Sequence, residues 1–266
     1  MEKIQIKAYA KINLTLEILD KLSNGYHKIR SIFQAIDLYD TLSIFKTKDG
    51  FCLNGSVNCS HEENLITKSR EKMSDFVKRE LSCTINLLKN IPESAGLGGG
   101  SSDAAATLIG LNNLFELNLS LKQLSEIGVN IGKDVPFFLY NIGTALINGM
   151  GEKIKISNRK PSNFYVLAKP DQGISTSEIY SLFDKHNKSK SFFELANKIC
   201  PSIKELYSYF SPISKECAMS GTGSTIFAGF DSYEDTLKAK NNFNGPTFKG
   251  DFYICKPSKR TYEIIT

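Results

Sequence analysis

Every even position from Ile4 to Ile18 is apolar while most odd positions between them are polar, the two-residue period of a strand with one buried face. Lys11 and Asn13 therefore share the polar face. Ser23-Asn24-Gly25 follows with residues that accept positive φ, so the chain is expected to turn back through Tyr26 and His27 and to stay β-rich as far as Phe45. Helices are predicted at 63–80 and again after a glycine-rich stretch, where Ala104, Leu108, Leu111 and Phe115 recur at i, i+4, i+7 and i+11. Ser120 and Gln123 have capping-box spacing, opening a further helix expected to stop near Gly132.

Beyond Pro161 the pattern changes. A strand at 164–168, helices, a strand at 217–219, the loop SGTGS, the strand TIFAGF, a helix at 232–243 and the strand FYICK suggest an α/β sandwich of the split βαβ kind. The whole chain reads as α+β, with a domain boundary between 150 and 160 that divides it into 1–156 and 157–266.

Composition narrows the setting. The 266 residues, 41% hydrophobic, can bury a core and suit one large or two modest domains. The net charge of +5 comes from 33 basic and 28 acidic residues scattered along the chain, without the clustered stripe of a nucleic-acid surface, so a small anionic ligand is the expected partner. The six cysteines include no C-x-x-C pair and match neither a zinc site nor a compact disulfide framework, which makes reduced thiols the expectation. MEKIQIKAYAK has no apolar signal core, and no stretch approaches the roughly 18 apolar residues of a membrane span. A soluble cytoplasmic protein with no membrane partner is expected.

The stretch AGLGGGSSDAAA, residues 95–106, has Asp103 as its single large polar side chain. Glycines remove Cβ atoms and permit positive φ, so backbone N–H groups can converge on one anion, and a helix starting here turns its own free N–H groups toward the same spot. Ser101 or Ser102 is placed to cap that helix. A flexible surface loop is the plainer reading, but such loops rarely run into an Ala-rich periodic helix. A P-loop is excluded because no lysine occurs between Lys89 and Lys122, and a Rossmann fingerprint fits poorly, with Ser101 at the third glycine position and Glu116 in a helical stretch.

Three segments then act together. KAYAKINLTL, IPESAGLGGGSSDAAA and MSGTGSTIFAGF, in that order, resemble the three motifs of the GHMP kinase superfamily. The likeness covers most of residues 6–151, including NGYHKIR, HEENLI and GKDVPFF, and thins afterwards to islands. It narrows to the superfamily's kinases for a cytidine-diphosphate conjugate of non-mevalonate isoprenoid synthesis. The implied fold is a two-domain GHMP kinase fold, with an N-terminal ribosomal-S5-like domain and a C-terminal ferredoxin-like α/β sandwich. The implied activity is ATP-dependent phosphorylation of a hydroxyl, with Mg²⁺ accompanying the nucleotide and no covalent enzyme intermediate.

Residue roles follow from the same resemblance. Asp134 matches the catalytic base and Lys11 the lysine beside it; read alone, Asp134 is a helix N-cap and Lys11 a solvent-facing strand residue. Pro92, Glu93, Ser94, Ala95, Gly96, Leu97, Gly98, Gly99, Gly100, Ser101 and Ser102 would cradle ATP phosphates, with Asn64 and Lys89 near the adenine. Asn13 would bond the substrate's polyol, Tyr26 and His27 would hold the cytosine, and Tyr180 would supply a second stacking face. Ser220, Gly221, Thr222 and Gly223 would close the site from the second domain, although SGTGS alone reads equally as a tight turn. Lys133, where the family commonly has a small residue, and Glu93 with Ser94 depart from its pattern. A GHMP kinase for another alcohol, of the homoserine or mevalonate type, and an inactive ligand sensor of the same fold are the alternatives.

Overall fold

The computed structural model describes residues 2–23, 25–55, 63–186 and 189–265; Asn24 of the expected turn, Cys59, and His61 and Glu62 of HEENLI lie outside the described residues. The alternating N-terminal stretch is one long strand, β1 (Lys3–Lys21), paired antiparallel with β2 (His27–Lys46). Between them the Leu22 N–H donates to Tyr26 O, and Gly25, at φ +85°, donates to Leu22 O, which closes the hairpin. Further strands escaped the sequence reading: β3 (Phe51–Asn54), β4 (Cys83–Leu88), β5 (Thr144–Gly149) and β6 (Lys153–Ile156). Alternation over so few residues is a weak local signal, and these strands form because β2 offers an edge. Its residues 29–34 take β5 and its residues 41–46 take β4, while β3 runs parallel to β4 and β6 antiparallel to β5.

Four helices cover this sheet: α1 (Leu65–Val77), α2 (Gly99–Leu114), α3 (Leu121–Gly128) and α4 (Val135–Leu139). The first stops short of residue 80 because Lys78 turns left-handed at φ 54° and its N–H closes back on Ser74 O. The capping box of Ser120 and Gln123 opens α3, which ends at Gly128 while residues 129–131 continue as turns. Helix α2 is buried almost all round, from Ser102 to Leu111, where its sequence periodicity indicated one apolar stripe. Contact with the sheet is tight enough that a Cβ on Gly110 would lie 2.4 Å from Ile44 Cδ1.

The C-terminal half follows the split βαβ order: β7 (Phe164–Pro170), α5 (Thr176–Lys185), α6 (Phe192–Ile199), α7 (Ser202–Phe210), β8 (Glu216–Met219), β9 (Ile226–Phe230), α8 (Tyr233–Asn241) and β10 (Gly250–Cys255). Its sheet is antiparallel in the order β10-β7-β9-β8, the ferredoxin-like arrangement. Both faces of β7 are buried. Val166 and Ala168 pack under the C-terminal helices, whereas Tyr165 and Leu167 join Ala10, Ile12, Leu14, Ala95 and Leu97 in a core that welds the halves together. The last strand, β11 (Tyr262–Ile264), crosses back to pair with β1 at residues 6–8. Two packed layers facing one another along β1 leave a cleft where the polar side of that strand meets the glycine loop.

Candidate active site

The glycine loop joins β4 to α2, and the helix starts at Gly99 with Gly98, at φ +72°, as its N-cap. Neither expected serine caps it. Ser102 instead donates its hydroxyl to Tyr9 O at 2.7 Å, pinning the helix to β1, and the first N–H groups of α2 have no side-chain cap. Gly98 sets the boundary earlier because its left-handed conformation ends the loop there. Its bare Cα also admits the Lys11 stem, since a Cβ would lie 3.1 Å from both Cγ and Cε of that lysine. A cavity of about 490 Å³ opens here, lined by residues 92–101 of the loop together with Lys11, Asn13, Asn64, Lys89, Asp134, Tyr180, Gly221 and Thr222. Asp103, Thr176, Phe33 and Phe192 also line it and were not anticipated from sequence.

Lys11 and Asn13 lie on the polar face of β1, yet both are about 3% exposed, because loop and second domain cover that face. The plain reading of Lys11 as solvent-facing fails for this tertiary reason. Its ammonium donates to Asn13 Oδ1 at 2.7 Å and to Gly96 O at 3.0 Å, sits 4.8 Å above the Phe33 ring, and approaches Asp134 Oδ2 at 3.6 Å. Burial pushes the lysine pKa down and Asp134 works against that shift. Asp134 occupies the N-cap position of α4, but its carboxylate makes no capping hydrogen bond and faces the lysine instead. The amide of Asn13 is committed within the protein, accepting from Lys11 and donating to Ser31 Oγ at 2.9 Å, so it orients the lysine.

SGTGS is the turn between β8 and β9, and it also closes the site. Ser220 Oγ donates to the same Gly96 O at 2.9 Å and accepts from Asn13 N at 3.3 Å. All three motifs meet at that carbonyl. Ser220 is fully buried in this seam; Gly221 and Thr222 line the cavity, and the open side of Gly223 faces Met219 Sδ.

At the other end, Tyr26 is exposed and His27 buried. His27 packs on Tyr180 at 5.4 Å between ring centroids and edge-on to Phe183 at 5.7 Å, and Tyr180 meets Phe192 at 4.9 Å. The Tyr180 hydroxyl pKa is pushed up to about 12 by burial and then by the charge of Asp134. Asp184 was missed by sequence reading: it sits 3.0 Å from His27 Nε2 and 2.6 Å from Lys21 Nζ. It ties α5 to the base of the hairpin, and no local signal announced it.

Asn64 is buried as the N-cap of α1, its Oδ1 accepting from Ile66 N at 2.8 Å. Lys89 is held by two buried carboxylates, pairing with Asp40 and, at 3.2 Å, with Asp103. Burial alone would lower its pKa, but Asp103 and Asp40 outweigh it and raise it. One lysine cannot satisfy both acids: burial holds the Asp103 carboxyl well above the ordinary range, Lys89 opposes this, Asp40 adds to it, and Asp103 Oδ1 has no partner. Standing alone as the charged residue of 95–106, Asp103 was the one signal in the sequence for this cluster.

A lysine-free glycine loop opening a helix beside a ferredoxin-like sheet places the protein among kinases of one class. Residues 64–141 match the family model of the GHMP kinases N terminal domain. A 4-diphosphocytidyl-2-C-methyl-D-erythritol kinase of Caldanaerobacter subterraneus subsp. tengcongensis is 36% identical, over 91% of this chain and 93% of its own length. One from Clostridium tetani is 38% identical over 91% and 97%. Among solved structures, that of a 4-(cytidine 5'-diphospho)-2C-methyl-D-erythritol kinase superposes with a TM-score of 0.76 at 24% identity, over 95% of this chain and 99% of the other. The chain belongs to the 4-diphosphocytidyl-2-C-methyl-D-erythritol kinase family of the GHMP kinases.

A Cβ on Gly96 would lie 2.0 Å from Ser220 O, at φ +73°. Gly96→Ala is therefore expected to lose roughly 1–3 kcal/mol of stability in urea unfolding and to weaken ATP binding; wild-type values for both would refute the described seam. The raised Asp103 carboxyl makes folding less favourable as pH rises from the ordinary range, about 4, through its folded value. Thermal melts across pH are expected to shift in favour of Asp103→Asn over that interval, whereas a pH-independent difference would mean an ordinary carboxyl.

Proposed function

We propose that the protein transfers the γ-phosphoryl group of ATP to a hydroxyl of 4-diphosphocytidyl-2-C-methyl-D-erythritol, a step of isoprenoid synthesis in a cytosolic setting. The observation that carries this reading is the 3.6 Å approach of Lys11 Nζ and Asp134 Oδ2 beside Gly96 and Gly98. Transfer through a loose transition state asks for alignment and for neutralisation of charge on the moving oxygens. The loop amides and the open N-terminus of α2 grip the phosphates. Asp134 holds the acceptor hydroxyl in line and takes its proton as the new O–P bond forms and the bond from γ-phosphorus to the β–γ bridging oxygen breaks, releasing ADP. Lys11 keeps Asp134 in place and offsets charge on the transferring group. Tyr26, His27 and Tyr180 form the end that takes the cytosine.

Mg²⁺ would supply further charge neutralisation on the phosphates. Among the described residues no group of three or more ligating side chains exists, so the ion would take its oxygens chiefly from the nucleotide and water, with Asp103 Oδ1, the oxygen that Lys89 does not hold, on the cavity wall. No helix among the described residues is long and apolar enough to cross a membrane, and the described cysteines are free thiols.

Homoserine and mevalonate kinases would use the same phosphate machinery, so the aromatic end decides. ADP release measured with the cytidine conjugate, homoserine and mevalonate is expected to favour the conjugate; preferential turnover of either simple alcohol would defeat the reading. Asp134→Asn is expected to retain ATP binding while turnover falls roughly 10²- to 10⁴-fold, and an unchanged rate would remove Asp134 from its role.

A further inference from the structure

Two of the lysines at the cleft are neutralised: Lys11 faces Asp134, and Lys89 is shared by Asp40 and Asp103. Lys133 is different. Its ammonium donates to Val129 O at 3.1 Å, the carbonyl of the residue that caps the C-terminus of α3, and stands 4.9 Å from the centroid of the Tyr26 ring. Both partners are uncharged, so its position is set while, among the described residues, no ion pair matches its charge. A carbonyl at a helix C-terminus and the face of an aromatic ring each favour a cation, which fixes the ammonium without cancelling it.

Its place in the site is also defined. Lys133 precedes Asp134, the carboxylate set against Lys11, and its ammonium lies on the ring of Tyr26, the residue before His27, whose own ring packs on Tyr180. Lys133 thus connects Tyr26, which its ammonium touches, with Asp134, its neighbour in the chain. The proposed substrate has the order nucleobase and ribose, diphosphate, polyol. An ammonium seated on Tyr26, one residue along the chain from the reacting carboxylate, is within the span that the negatively charged part of such a molecule would occupy.

We infer that Lys133 is a substrate-binding residue that pairs with the diphosphate of the acceptor, an assignment that rests on the reading of the site as one for a cytidine-diphosphate conjugate. It acts on binding and not on the transfer step, because the diphosphate bears the same charge before and during transfer. Its ammonium exchanges a carbonyl or ring contact for phosphate oxygens, a charge-assisted hydrogen bond that a neutral side chain of the same length cannot make.

The test is equilibrium binding of cytidine and of CDP, with the nucleotide site saturated by a non-hydrolysable ATP analogue, to the wild type, Lys133→Met and Lys133→Arg. Methionine keeps the stem and removes the charge. Lys133→Met is expected to weaken CDP about tenfold and cytidine less than about twofold, with Lys133→Arg restoring most of the CDP affinity. Equal loss of cytidine and CDP would overturn the inference, since Lys133 would then act only by bracing Tyr26. So would CDP affinity unchanged in Lys133→Met, or Lys133→Arg as weak as methionine. Failure of the wild type to bind either ligand would instead strike the underlying reading of the site, and the assignment of Lys133 with it.

Discussion

A single carbonyl organises this protein. Gly96 O accepts from the buried ammonium of Lys11 and from the hydroxyl of Ser220, using both lone pairs for donors that lie 85 and 124 residues away. An ammonium removed from water is costly unless its donors are satisfied, and Lys11 meets that demand with Asn13, Gly96 and the nearby Asp134. Satisfying one buried cation therefore fixes where β1, the glycine loop and the β8–β9 turn sit relative to one another. The loop must come close enough to offer a backbone oxygen, and only a residue without Cβ fits against Ser220 at that distance.

The same logic recurs on either side. Lys89 gathers Asp40 from β2 and Asp103 from α2, and Asp184 of α5 gathers Lys21 and His27 from the hairpin. Each cluster joins segments distant in sequence, so the charges that line the cleft also hold its walls together. The Asp103 cluster carries more acid than its lysine can balance, a tension placed directly beneath the start of the helix that opens on the cavity. Such over-determined corners are where a fold keeps a functional geometry at some expense to stability.

The interior between the halves explains why a cleft persists. Tyr165, Leu167 and Phe227 of the C-terminal sheet pack with Ala10, Ile12 and Leu14 of β1, and β11 returns to β1 from the far end of the chain. With apolar residues on one side of β1 welding the halves, its odd-numbered face is left for Lys11 and Asn13, enclosed by the loop and the β8–β9 turn. Enclosure excludes water from the cations and strengthens their pull on phosphate oxygens.

Local pattern was sufficient for much of this. The alternation of β1, the hairpin closed at Gly25, the Ser120 capping box, the strand-helix order after Pro161 and the bare loop before a helix are set by steric and periodic rules acting within a few residues, and a sequence carries those rules openly. The three motifs, resembling a known family in their order, pointed to the chemistry as well. Other features depended on partners. The short strands β3 to β6 exist because β2 has an edge to share, Ser102 turned from a cap to a tether because Gly98 ended the loop first, and Asp134 reached Lys11 because the N-terminus of α4 lies against β1. Burial of Lys11, the crowding of Asp103 and the seat of Lys133 over Tyr26 arise from contacts between residues tens of positions apart, and no period along the chain encodes a distance across it.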